Sequence, residues 1–132
     1  MEIHYKIIGM LLMLLAIVHI IFPKYFNWKE ELQPLSLINR QMMVVHTFFI
    51  ALTVFLMGLL CWLESTALIE TDLGKTISLG MGIFWSIRFF MQLFVYSKKL
   101  WWGKTFETIV HILFSLAWIY MSVVFLWTAL SN

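Results

Sequence analysis

Six residues able to carry charge, bind an anion or ligate a metal lie inside apolar stretches of this sequence: His19, His46, Arg88, Gln92, Glu107 and His111. Imidazoles can hold haem iron or a metal ion, or move protons. A guanidinium can hold a carboxylate or a phosphate. Their spacing is helical. Trp85, Arg88 and Gln92 stand at i, i+3 and i+7, on one face of a helix, and Glu107, His111 and Ser115 follow one another at steps of four. Asn39, His46 and Thr53 recur every seven residues. Each set forms a polar stripe on an otherwise apolar helix.

The elements that must position these residues are four apolar stretches, Ile7–Phe22, Met42–Leu63, Thr76–Val95 and Phe106–Trp127. Each approaches the ~20 residues that cross a ~30 Å hydrocarbon layer. Hydrophobic residues make up 62% of the 132 and charged residues 12%, a balance that a soluble fold of this size could not hide from water. The fold class expected is therefore all-α, an integral membrane bundle of four transmembrane helices in a single domain over residues 1–132. The helices are expected at about 5–22, 36–63, 76–96 and 105–128, with Ser36 behind Pro34 opening the second.

Composition also excludes function classes. A net charge of +2 without a basic, aromatic-interleaved run argues against nucleic acid as a partner. The single cysteine, Cys61, excludes a disulfide framework and a Cys-based zinc site. The bulky Ile20-Ile21-Phe22-Pro23 offers no signal-peptidase site after the first stretch, so that stretch is expected to be retained as a helix. HExxH and the His-box series of membrane di-iron oxygenases are both missing.

The connections set the orientation. The first and third carry Lys24, Lys29, Arg40, Lys98, Lys99 and Lys104, whereas the other side has Lys6 and Lys75. The positive-inside rule then places both termini outside, in a multi-pass protein of a bacterial inner (plasma) membrane. The segment 96–105, YSKKLWWGKT, is basic and Trp-rich, with Gly103 to turn the chain. A faint echo links His19–Trp28 to Gln92–Trp101, each ending an apolar helix in aromatics, Lys and Trp. Two helices ending at one interface account for it without invoking a repeat.

Measured from the cytoplasmic helix ends at 1.5 Å per residue, His19, His46, Gln92, Glu107, His111 and Arg88 all fall within about 11 Å of one face. The expectation is a pocket in the cytoplasmic half lined by these residues, with Asn39 and Trp85 beside them, holding a small anionic or lipid-like ligand against Arg88. Either Glu107 or Gln92 could partner that arginine. Two alternatives stand beside it. One is a b-type haem held by two of His19, His46 and His111, or a metal ion held by all three, although no glycine at that depth admits a macrocycle. The other is an accessory or assembly subunit in which the polar band joins helices, working with a membrane protein partner or as a homo-oligomer.

Overall fold

The structure, a computed structural model, describes residues 1–131; Asn132 lies outside them. The described residues are helical with no strand. The elements are α1 (Glu2–Val18), α2 (Phe22–Tyr25), α3 (Trp28–Glu31), α4 (Leu37–Leu63), α5 (Ser65–Glu70), α6 (Asp72–Phe94), a 3₁₀ turn at Lys98–Leu100, and α7 (Thr105–Leu130). Three of them, α4, α6 and α7, are long and apolar enough to cross a membrane. The chain forms two compact units, Met1–Ser65 and the segment from Thr66 onward.

In the first unit α1 packs against α4. The order of contacts makes the pair antiparallel: Lys6 meets Trp62, whereas Gly9 and Met13 meet Gly58. A Cβ added to Gly9 would stand 2.7 Å from the Gly58 carbonyl oxygen, and one added to Gly58 would stand 2.7 Å from that of Gly9. Only glycine lets the two backbones approach this closely, the usual device where helices meet within lipid. Tyr5, Ile8 and Leu12 of α1 and Val54 and Cys61 of α4 form the core around this crossing.

The first stretch stops being α-helical at Val18, short of the Phe22 expected, and the cause is local. Pro23 has no N–H to give the His19 carbonyl, so the i+4 ladder cannot continue. Ile20, Ile21 and Phe22 instead donate three residues back, to Ile17, Val18 and His19. Asn27 then takes a left-handed conformation (φ 55°) between α2 and α3, which asparagine tolerates better than most residues. Ser36 caps α4 by accepting from the Asn39 N–H.

The second unit pairs α6 with α7, again antiparallel, with Lys75 donating to the Ser131 carbonyl and Gly82 set against Leu126. The helix expected from about residue 76 begins at Asp72, with Asp72-Leu73-Gly74 as the first turn of α6. Thr71 explains the difference: its hydroxyl oxygen accepts from the Gly74 N–H at 2.9 Å, and its hydroxyl donates to the Ala67 carbonyl at 2.6 Å. It thereby caps α6 and ties α5 to it. A Cβ on Gly74 would run into Ala67 and Leu68, so the close seat of α5 depends on that glycine.

The units share a register. Tyr5, Ile8, Gly9 and Leu12 are buried in one, and Ser78, Met81, Gly82 and Trp85 in the other. Any half-buried helix gives that spacing. It does not require a glycine at the third place of both sets. Ten residues beyond each glycine stands a polar side chain, His19 or Gln92, and nine beyond that a tryptophan, Trp28 or Trp101.

Candidate functional site

The polar residues of the second unit converge where α6 meets α7. Arg88 Nη1 donates to Gln92 Oε1 at 3.2 Å, one helical turn along α6. Trp118 Nε1, from α7, donates to the same oxygen at 3.4 Å. Gln92 Nε2 lies 2.8 Å from His111 Nδ1. Gln92 is buried, and its amide is the hub of the cluster.

This geometry fixes a tautomer. Two obligate donors, a guanidinium and an indole N–H, meet one atom of the Gln92 amide, so that atom must be the oxygen. The amide nitrogen then faces His111 and donates to Nδ1, which must carry its lone pair rather than a proton. His111 is therefore neutral with its proton on Nε2. It presents a donor, and its lone pair is already engaged, so it has none free for haem iron or a metal ion as the cluster stands.

Aromatic rings close around these groups. Trp101 stacks on the His111 imidazole with centroids 3.8 Å apart and planes 9° from parallel. Trp85, Trp118 and Phe114 form a second stack, with centroid spacings of 5.0 and 5.5 Å. The Arg88 guanidinium lies 5.1 Å from the Trp118 ring centre and 5.3 Å from that of Tyr96, cation–π distances. Thr108, in the first turn of α7, donates to the Trp101 carbonyl at 2.6 Å and so holds the loop against the cluster.

No carboxylate pairs with Arg88 among the described residues. Glu107 is half-buried in the first turn of α7 but makes no ion pair with it. One of five guanidinium N–H groups is spent on Gln92. Trp85 Nε1 is buried without any hydrogen-bond partner, although the side chain is only 2% exposed. What remains unspent is thus all donor: most of Arg88, the Trp85 N–H and the Nε2–H of His111. The cluster's acceptors, Gln92 Oε1 and His111 Nδ1, are both taken.

The other expected residues lie in the first unit. His19 is half-buried at the end of α1, with Nδ1 donating to the Leu15 carbonyl at 2.8 Å and its ring against Phe22. Asn39, His46 and Thr53, the stripe of period seven, are all exposed along α4. The Thr53 hydroxyl bonds back to Phe49 of its own helix. Arg40 is half-buried, its Nε shielded and without a partner. No group of three or more His, Cys, Asp or Glu side chains among the described residues is placed to hold a metal ion.

Four ring contributors were not expected: Trp101, Phe114, Trp118 and Tyr96. The signal for Trp118 was present in the sequence. It continues the stripe Glu107, His111, Ser115 by a further three residues, as an aromatic member of an otherwise polar set. Trp101 and Tyr96 sit in the loop, where helical spacing carries no information. No protein-family model, curated protein or solved structure matches the chain.

Proposed function

We propose that this is a multi-pass membrane protein whose Arg88 cluster binds an acidic ligand, a carboxylate or phosphate on a lipid-like body. The carrying observation is that Arg88 has dipoles and ring faces around it but no counter-ion among the described residues. In a membrane, an arginine at the centre of a spanning helix costs about 2.5–3.5 kcal/mol even on lenient scales, less toward the interface. An anion that completes its hydrogen bonding relieves that cost. The donor-only character of the cluster sets the class of ligand: acceptors are taken and cations are not.

In this reading α1, at 17 residues, serves as the fourth span. Lys6 and the aromatic residues of the following connection extend its reach at the two interfaces. Both termini lie outside by the lysine and arginine balance, in a bacterial inner membrane. The Arg88 cluster lies toward the end of α6 and α7 that carries the Lys98–Lys104 connection.

The rival account makes the cluster only a fastening between α6 and α7. Gln92→Glu separates the two. A glutamate at this place still accepts from Arg88 and Trp118, so the fastening persists, but it also gives Arg88 its counter-ion. Binding of dodecyl phosphate in a non-ionic micelle, followed by tryptophan fluorescence, should weaken at least ten-fold in Gln92→Glu. That matches the loss of a charge-assisted hydrogen bond of about 1.5–3 kcal/mol. Equal affinity in the two proteins, or no binding to either, would sink the proposal and leave the fastening.

A further inference from the structure

The loop between α6 and α7 has two faces, and only one belongs to the cluster. Tyr96 and Trp101 turn inward, onto Arg88 and His111. Lys98, Lys99 and Trp102 are exposed and line an open cleft of about 540 Å³. Trp102 is 77% exposed, and it stands beside the inward Trp101.

The loop is built to keep this division. Ser97 Oγ accepts from the Lys99 N–H. The Lys98 carbonyl accepts from both Trp101 and Trp102, and the Trp101 carbonyl from Lys104. Gly103, at φ +74°, reverses the chain between them, in the left-handed region that favours glycine. With Trp101 and Tyr96 anchored below, Lys98 and Lys99 are held on the same side as Trp102 rather than left to a free coil.

Two ammonium groups and an indole around one open cleft match a specific chemistry. A phosphodiester supplies the anion, and the boundary between headgroup and acyl chain supplies a seat for the indole. We infer that the outer face of this loop is a binding site for the headgroup of an anionic phospholipid, with Lys98 and Lys99 on the phosphate and Trp102 seated at the acyl boundary. The site stands apart from the Arg88 cluster, since its residues are not those of the Arg88–Gln92–His111 network.

The test uses the full chain in nanodiscs of mixed phosphatidylcholine and phosphatidylglycerol, with native mass spectrometry counting the retained lipids. The wild type should retain phosphatidylglycerol in excess of its share. Lys98→Gln with Lys99→Gln should lower that preference by about twenty-five-fold, since each basic residue near an anionic surface contributes about five-fold. Lys24→Gln with Lys29→Gln removes the same charge from the other lysine-bearing connection and should leave the preference nearly intact. Trp102→Ala should weaken retention without restoring phosphatidylcholine. Equal losses in the two lysine pairs would reduce the effect to bulk charge and overturn the site. So would unchanged retention in Lys98→Gln/Lys99→Gln, or displacement of the lipid by millimolar inorganic phosphate, which would make the ligand a free anion. Arg88 and Gln92 are intact in every variant, so lipid held at their cluster is a constant background, and the loop site is read from the difference between the two lysine pairs.

Discussion

Replacing Gln92 by leucine should weaken the joint between α6 and α7. Leucine has nearly the volume of glutamine, so packing is little disturbed, but three hydrogen bonds vanish together: those to Arg88, Trp118 and His111. Side-chain hydrogen bonds between helices in a membrane average about 0.6 kcal/mol, with a maximum near 1.7. Two of the three, those to Trp118 and His111, join the helices, which puts the loss between about 1 and 3.5 kcal/mol. The upper part of that range is expected, because Trp118 is itself buried and its indole N–H would be left without an acceptor. The assay is reversible unfolding in mixed micelles with increasing dodecyl sulfate, read by circular dichroism. Gln92→Glu keeps the two accepted bonds, one now charge-assisted, and should stay within about 1 kcal/mol of wild type. The two variants also differ at His111. With ¹⁵N-histidine, wild type should show an unprotonated Nδ1 and a protonated Nε2. In Gln92→Glu no amide donor faces Nδ1, so that nitrogen should acquire a proton and donate to the carboxylate. A wild-type Nδ1 that already carries the proton, or a Gln92→Leu loss under about 0.5 kcal/mol, would refute the reasoning, since either means the amide is not the hub.

Gly82→Ala and Gly80→Ala form a matched pair two residues apart on α6. The first places a Cβ 2.6 Å from Leu126 Cδ2 and 3.2 Å from the Leu126 backbone nitrogen, and should cost about 1–3 kcal/mol by overpacking. The second meets nothing within 4 Å and should be neutral or stabilising by up to about 1 kcal/mol through helix propensity; the same micelle titration ranks them. Gly58→Ala should resemble Gly82→Ala or exceed it, because its obstacle is the Gly9 carbonyl rather than a movable side chain. Thr71→Ala should cost about 1 kcal/mol through the lost cap of α6, with amide exchange rising first in residues 72–75. Single cysteines placed at residues 2, 27, 100 and 131 in a Cys61→Ala background should label from outside only at 2 and 131, if both termini lie outside. Labelling of 27 and 100 instead would invert the orientation.

The helical class was legible because it rests on composition and on stretch length, and both are properties of whole segments. Where α1 ends was less so. The sequence displayed Pro23 plainly, but its effect falls four residues upstream, where the His19 carbonyl loses its donor, and an unbroken apolar run conceals that. The Thr71 cap is concealed for a similar reason: Asp72-Leu73-Gly74 carries turn residues, and turn residues and first-turn helix residues overlap in type. Within the site, the stripe Trp85, Arg88, Gln92 showed which residues share a face of α6. The spacing put Gln92 one turn from Arg88, but it could not show that Glu107 would stay away, because that depends on how α7 is set against α6. The close seat of Gly82 against Leu126 sets that register. His46 is the reverse case. It shares its depth with the other polar residues on any ruler of rise per residue, yet it is exposed on α4. Depth along an axis says nothing about direction around it.

The repeated register sharpens what is particular about the second unit. Counting from the shared glycine, the place of Arg88 in α6 is held by Leu15 in α1, and the place of Gln92 by His19. The first unit thus has the glycine crossing without the charge, so the crossing does not require the charge, and Arg88 is not explained by helix packing alone. The choice of partner points the same way. A carboxylate at position 92 would satisfy Arg88 more strongly than an amide does, and Glu107 lies in the first turn of the neighbouring helix without being used. Glutamine holds the guanidinium in place and orients His111, yet leaves the positive charge unspent. If fastening were the sole requirement, the stronger pair would serve; an amide is the better residue where the charge must stay available to something that comes and goes.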